Sequence, residues 1–360
     1  METEPITTRF AQLSAYPSGQ APALTNASAP ARADVTASVQ APLQTPCVLA
    51  IVGPTASGKS SLADALAYRL STAVISVDAM QVYRHMDIGT AKMPQAQRHA
   101  PLLMIDRVLP SQTYSAQQFQ RAARSEVKTL LKAGKTPILC GGGGLYLDSV
   151  IDDMHFPKGS DISPARKKYE ELLREKGAQA LWDELYQRDP ESARCIHPHN
   201  VRRTIRALEM SDEQVSYAQQ TRGLHEHKVK YPTLIIGLAV ARAIELKAIE
   251  RRVDEMFRDG LVAEVEDVLK NYSPLSKTAS QAIGYKEIVG YLEGSSTLER
   301  AREEIIINTR RYAKRQRSWF RRDPRIVWIE KAAYPTEEAL LEEVLRRWNE
   351  ARARAHERAY

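Results

Sequence analysis

An unbroken apolar run, Cys47-Val48-Leu49-Ala50-Ile51-Val52, leads directly into Gly53-Pro54-Thr55-Ala56-Ser57-Gly58-Lys59-Ser60. A helical stretch, Ser61-Leu62-Ala63-Asp64-Ala65-Leu66-Ala67, follows at once. The eight central residues satisfy G-x-x-x-x-G-K-[ST] throughout, and the strand before and helix after them are the context this motif needs. A strand with no polar alternation is one buried on both faces, as in a parallel sheet. The glycines let the backbone curl so that successive N–H groups face one point, where the following helix also presents its positive end. Lys59 adds a full charge there, and the Ser60 hydroxyl can enter a Mg²⁺ coordination shell. The loop therefore cradles a di- or triphosphate. It does not fix which bond breaks: attack at phosphorus makes a kinase or ATPase, whereas attack at carbon makes the diphosphate a leaving group.

The rest of the chain repeats the alternation. Strands are expected at Ala73–Val77, Leu102–Ile105, Pro137–Cys140, Thr233–Leu238 and Ile326–Ile329, with a helix over 115–133. This is an α/β fold with a largely parallel sheet. From about Pro157 to Gly223 strand signals vanish and the chain becomes charged and helical, which predicts a helical insertion at 157–223 interrupting one core at 47–156 and 224–331. Long amphipathic helices dominate after 240, ending with 299–322, and a helical tail is expected over 332–360. Residues 1–46, rich in Ala, Pro, Ser, Thr and Gln, read as a disordered tail. They carry Glu2 and Glu4 where a secretory signal would be basic, and no run in the chain is long and apolar enough to span a membrane. The three cysteines, Cys47, Cys140 and Cys195, are too sparse for a disulfide framework or a four-cysteine zinc site. A cytoplasmic protein is expected. The net charge of +7 permits a polyanionic partner without demanding one.

Asp78 follows the strand at 73–77. Ligands of open α/β sheets bind beyond the carboxyl ends of strands, so Asp78 and the phosphate loop could face one cleft. A carboxylate there could hold Mg²⁺ through water, act as a general base, or cap a local turn. Asp106, after Leu102–Ile105, competes for the same place. Seven cations, Arg310, Arg311, Lys314, Arg315, Arg317, Arg321 and Arg322, occur with no acid among them. On a helix Arg310, Lys314, Arg317 and Arg321 share one face, with Ile305, Tyr312 and Trp319 roughly opposite. That face suits either an RNA backbone or solvent. His197 and His199 form a second cluster with Arg202, Arg203 and Arg206; without further ligands the histidines suit a structural or capping role better than a metal.

Several motifs, in order, resemble the bacterial tRNA dimethylallyltransferases over about residues 47–330. They are the phosphate loop, Asp78-Ala79-Met80-Gln81-Val82-Tyr83-Arg84, Asp87-Ile88-Gly89-Thr90-Ala91-Lys92, Gly141-Gly142-Gly143-Gly144-Leu145-Tyr146 and Ile196-His197-Pro198. Arg206-Ala207-Leu208-Glu209, Gly260-Leu261-Val262-Ala263-Glu264-Val265, Ile283-Gly284-Tyr285-Lys286-Glu287 and Arg311–Phe320 complete the series. The resemblance implies a P-loop NTPase-like core with a helical insertion that grips the tRNA anticodon stem-loop. It implies transfer of a dimethylallyl group from dimethylallyl diphosphate to N6 of adenosine 37, with Mg²⁺ as cofactor; a monomer is expected. By residue, it implies that Gly53, Pro54, Thr55, Ala56, Ser57, Gly58, Lys59, Ser60 and Arg242 hold the diphosphate, Ser60 being the metal position. Asp78 matches the general base. Asp78, Ala79, Met80, Gln81 and Gly143 match tRNA-contact positions beside the target base, and Arg166, Arg202, Arg203, Thr204, Ile205 and Arg206 match tRNA contacts in the insertion. The chain departs from the family's usual Ser at Ala79 and usual Thr at Gly143. Two other functions share parts of this pattern: an adenylate isopentenyltransferase acting on free nucleotide, and an RNA-binding P-loop NTPase.

Overall fold

A computed structural model describes residues 46–156 and 163–357. Six strands form one parallel sheet: β1 (Val48–Val52), β2 (Val74–Ser76), β3 (Leu102–Leu103), β4 (Ile138–Gly141), β5 (Thr233–Ala239) and β6 (Ile326–Glu330). Their spatial order is β3-β2-β4-β1-β5-β6. Every residue of β1 is buried. Val48, Ala50 and Val52 enter the core on one face, and Leu49 and Ile51 enter the core on the other. With both faces covered by helices, the strand has no use for polar alternation.

The second face is covered by α1 (Lys59–Arg69) and α12 (Glu337–Glu357). Leu340, Leu341, Val344 and Trp348 of α12 are buried there, so the segment expected as a C-terminal tail is part of the core. Their spacing is that of one helix face. The first face carries α2 (Ala116–Lys132), α3 (Gly144–Ile151), α8 (Arg242–Arg258), α9 (Leu261–Tyr272), α10 (Tyr285–Leu292) and α11 (Leu298–Phe320). The helix expected over 115–133 forms as α2, opened by a reciprocal capping box between Ser115 and Gln118. The strand expected at 102–105 stops at Leu103, because Met104 turns into the left-handed region at φ 63°.

Between α3 and β5 lie α4 (Pro164–Arg188), α5 (Pro190–Arg194), α6 (Val201–Asp212) and α7 (Tyr217–His225). These helices bury an apolar cluster of their own around Tyr169, Leu181, Leu185, Ile205 and Leu208. The start of the expected insertion, residues 157–162, and all but the last residue of the expected tail at 1–46 lie outside the described residues. The chain returns to the sheet beside its exit, where the N–H groups of Lys230 and Tyr231 both donate to the Ile151 carbonyl at 2.8 and 3.0 Å. Among the described residues no helix is long and apolar enough to cross a membrane.

The register sets where a ligand can bind. Val52 lies level with Gly141 and Gly237, and Ser76 lies level with Cys140. The carboxyl ends of β1, β2, β4 and β5 therefore align, and the loops that follow them open onto one edge.

Candidate active site

At that edge the phosphate loop curls between β1 and α1. Gly58, the residue before α1, sits at φ 87°, a conformation glycine adopts without a Cβ penalty. Lys59 Nζ donates to the Pro54 carbonyl at 3.2 Å. The Thr55 hydroxyl accepts from Arg252 at 2.9 Å, and the Thr55 N–H donates to Gln316 Oε1 at 2.8 Å. The Ser57 hydroxyl, within the loop, is buried and has no hydrogen-bond partner. Burial lowers the pKa of Lys59, with Arg252 adding to the effect and Cys140 and Asp78 opposing it. Burial likewise lowers the pKa of Arg252, opposed by Asp78 and Glu255. Two desolvated cations and an orphaned hydroxyl around a curl of backbone amides fit an anionic group such as a diphosphate.

The loop opens into a cavity of about 330 Å³. Asp78, Ala79, Met80 and Gln81 line it together with Thr55, Lys59 and Ser60, so the strand-end carboxylate and the phosphate loop do face one cleft. Asp78 Oδ1 accepts the Met80 N–H at 2.8 Å. The turn cap is therefore made, but by one oxygen, and the same carboxylate faces the cavity. Asp106 does not line it. Its Oδ1 is taken by Lys92 Nζ at 2.5 Å, in a junction that also binds Asp87 and the Tyr83 carbonyl. The Ser60 hydroxyl and the Asp78 carboxylate are the kind of hard oxygen donor that suits Mg²⁺. No group of three or more His, Cys, Asp or Glu that could hold a metal occurs among the described residues.

One face of α11 closes the cavity. Ile305, Thr309, Tyr312 and Gln316, at helical spacing, all line it, with Arg315 beside the Tyr312 ring. From α8 come Arg252, Val253 and Met256, and from the loop before α10 come Gln281, Ala282 and Ile283. Beyond the cationic end the walls are mixed: Val253, Met256, Ile283 and Ile305 are apolar, and Gln81, Gln281 and Thr309 are polar. Sequence reasoning missed Arg252. Its signal was a cation on an apolar stripe: it stands three residues after buried Ile249, next to buried Val253 and four before Met256.

Other expected site residues lie elsewhere. Arg242 is exposed and lines a separate groove with Arg310, Arg311, Lys314 and Arg317; Arg252 is the α8 arginine in the cavity. Arg310 and Arg317 are paired with Glu250 and Glu245 of α8, so that half of the cationic face serves helix packing, while Arg311, Lys314, Arg321 and Arg322 are exposed. In the helical block Arg202 and Arg203 are exposed at the start of α6. Thr204 and Ile205, expected as tRNA contacts, have buried side chains, because they lie on the apolar face of α6. Arg166 is likewise turned inward, with its Nε and Nη2 on the two Glu209 oxygens at 3.0 and 3.2 Å, and Arg206 is half-buried at 3.6 Å from Glu209. His197 Nδ1 accepts the His199 N–H at 3.2 Å. Gly143 precedes α3, and a Cβ there would lie 2.6 Å from the Val77 carbonyl, so the local backbone is built for glycine where the family's Thr would stand.

A phosphate loop after the central strand of a parallel sheet, with its next-door carboxylate sharing the cleft, makes this a P-loop NTPase-like α/β protein whose phosphate end opens into a cavity lined by both apolar and polar side chains. Comparison with known proteins narrows the class. Residues 81–323 match the model of the family described as IPP transferase. A tRNA dimethylallyltransferase of a Thermoanaerobacter species is 42% identical over 304 residues, covering 83% of this chain and 96% of its own. That of Carboxydothermus hydrogenoformans is 45% identical over 287 residues, covering 79% and 91%. The crystal structure of tRNA delta(2)-isopentenylpyrophosphate transferase from Staphylococcus epidermidis superposes with a TM-score of 0.62 at 33% identity, covering 85% of this chain and 99% of that one. A eukaryotic dimethylallyltransferase acting on tRNA superposes with a TM-score of 0.68 at 26% identity, covering 79% and 74%. The chain belongs to the IPP transferase family.

Proposed function

We propose that this chain transfers the dimethylallyl group of dimethylallyl diphosphate to N6 of adenosine 37 in tRNA and releases diphosphate. The observation that carries the reading is the shared cavity: a cationic phosphate cradle, a set of apolar side chains and a free carboxylate oxygen in one cleft. Its volume of about 330 Å³ suits a small diphosphate ester and part of a base, not an RNA helix, so the acceptor base must leave its stack. The apolar side chains of Val253, Met256, Ile283 and Ile305 suit a prenyl chain. The exposed Arg202 and Arg203 on the helical block offer charge to a phosphate backbone, which supports an RNA acceptor.

The chemistry follows from the groups present. The N6 lone pair is delocalised into the adenine ring, so the amine is a poor nucleophile. As N6 bonds to C1 of the prenyl group, the C1–O bond breaks and its electron pair leaves with the diphosphate. Asp78 takes the N6 proton through the carboxylate oxygen not bonded to Met80. Lys59, Arg252 and the loop amides stabilise the charge that develops on the leaving group. Mg²⁺, held beside Ser60 and Asp78, would add Lewis-acid neutralisation of the diphosphate.

The test is to incubate the full chain with unmodified tRNA, Mg²⁺ and dimethylallyl diphosphate and to analyse the tRNA nucleosides by mass spectrometry. Prenylated adenosine is expected among the nucleosides, and at position 37 when nuclease fragments of the same tRNA are mapped by mass spectrometry. ATP hydrolysis stimulated by tRNA, with no prenylated nucleoside, would instead mark an RNA-dependent NTPase.

A further inference from the structure

One wall of the cavity is the turn Gly89-Thr90-Ala91, joined by Gln81. A turn without a sheet ladder needs something else to hold it. Glu264 on α9 supplies this from outside the cavity. Its Oε2 accepts the N–H groups of Asp87 and Ile88 at 2.8 and 2.7 Å, and its Oε1 accepts that of Gly89 at 3.0 Å. The Tyr285 hydroxyl donates to the same Oε1. Three successive backbone N–H groups thus form a nest filled by a side-chain carboxylate. Charge-assisted bonds of this kind are about twice as strong as neutral ones. The fit is close, since a Cβ on Gly89 would lie 2.4 Å from the Tyr285 ring.

The turn in turn holds Gln81. Its Nε2 donates to the carbonyls of Thr90 and Ala91 at 3.2 and 3.4 Å, and its Oε1 accepts the Ser76 hydroxyl at 2.7 Å. Both amide hydrogens are spent within the protein, which leaves Gln81 one acceptor lone pair and no donor for a ligand. Its orientation is therefore set by the turn together with Ser76; the turn has its own Ala91-to-Ile88 and Lys92-to-Asp87 backbone bonds, and Glu264 is what ties its first three N–H groups to α9. Neither Glu264 nor Tyr285 lines the cavity, and neither bonds to the phosphate loop or to Asp78.

We propose that Glu264, supported by Tyr285, is a positioning residue for the acceptor base: it fixes the Gly89–Ala91 wall and, through it, Gln81. This rests on the reading that the cavity receives adenine beside Asp78. It separates alignment of the base from binding of the diphosphate.

The test compares wild type with Glu264→Gln and Tyr285→Phe in the full chain. Glu264→Gln keeps the length but turns an NH₂ towards at least one backbone donor. Tyr285→Phe leaves the carboxylate on its three amides. Hydrogen exchange at amides 87–91 should quicken at least about tenfold in Glu264→Gln and less in Tyr285→Phe, with the phosphate-loop amides unchanged. Inorganic diphosphate should bind with unchanged stoichiometry and with affinity within about twofold. With tRNA and dimethylallyl diphosphate, kcat should fall about 10–100-fold in Glu264→Gln while both KM values stay within about threefold, as for a misplaced reactant. Unchanged exchange at 87–91, a wild-type kcat, or loss of diphosphate stoichiometry in step with kcat would each overturn the proposal. A wild-type chain that binds diphosphate yet never prenylates tRNA would instead defeat the function proposed above, and the exchange comparison would still decide whether Glu264 holds the wall.

Discussion

Arg166 separates a tRNA contact from a structural ion pair. By resemblance it stands at a tRNA-contact position; in the structure it bonds bidentately to Glu209, with side-chain exposures of 11% and 6%. Removing one partner of a buried pair costs about 3–5 kcal/mol, because the other charge is left uncompensated. Here the loss is smaller. Glu209 keeps the Ser163 hydroxyl at 3.0 Å and Arg206 at 3.6 Å, so about 2–3 kcal/mol is expected for Arg166→Ala. That loss should fall on the contact between α4 and α6. Hydrogen exchange of the amides in those two helices measures it, and titration with tRNA at several salt concentrations measures the RNA side. Arg166→Ala should quicken exchange in both helices and leave the slope of log K against log salt unchanged. Arg203→Ala, at an exposed position, should do the reverse: stability is kept and the slope becomes shallower by about one. An Arg166→Ala protein with wild-type exchange and a slope shallower by about one would refute the ion-pair account.

Three further outcomes are expected. Lys59→Ala should weaken binding of inorganic diphosphate, measured calorimetrically, at least about tenfold while tRNA affinity stays within about threefold, since a charge-assisted bond is worth about 1.5–3 kcal/mol; the opposite pattern would remove the phosphate loop from the diphosphate site. Gly143→Ala should destabilise the fold by about 1–3 kcal/mol in urea unfolding, because its methyl group would lie 2.6 Å from the Val77 carbonyl; an unchanged midpoint would contradict that close approach. Asp148 is pushed up to about 7 by burial and by the neighbouring Asp152 charge, against the Trp319 N–H at 3.1 Å. From about pH 4, where an unfolded Asp ionises, to about pH 7 the folded state holds a proton that the unfolded chain has released, so this group makes stability fall as pH rises through that window. Asp148→Asn should remove a drop on the order of 2–4 kcal/mol between pH 4 and 8, and an identical pH profile in the variant would contradict the assignment.

The legible parts of this protein were those where local pattern and tertiary role coincide. The phosphate loop could be placed because its glycines, Lys59 and the apolar run of β1 serve local geometry and function together. Asp78 could be placed at the cleft from strand polarity alone, but its rivalry with Asp106 could not be resolved. What decides it is Lys92, whose buried ammonium draws Asp106 into a junction away from the cavity. The cationic stretch of α11 was visible as a face. Its partners were not, because Glu245 and Glu250 sit on α8, more than fifty residues earlier, and helical periodicity says nothing of which helix lies opposite. Arg252 and Glu264 show the same limit. Each is a charged residue on a helix that reads as ordinary amphipathic surface, and its role comes from loops distant in sequence that the fold brings to it.

The central claim is that one cavity holds the diphosphate on the phosphate loop and the acceptor amine at Asp78. Asp78→Asn tests it most directly. The Asn oxygen can keep the 2.8 Å bond from the Met80 N–H, so the turn survives, while the group loses the ability to take a proton. Single-turnover prenyl transfer should therefore fall about 10²–10⁴-fold, with the Kd for tRNA and for inorganic diphosphate each within about threefold of wild type. Near wild-type transfer at ordinary Mg²⁺ would contradict the account.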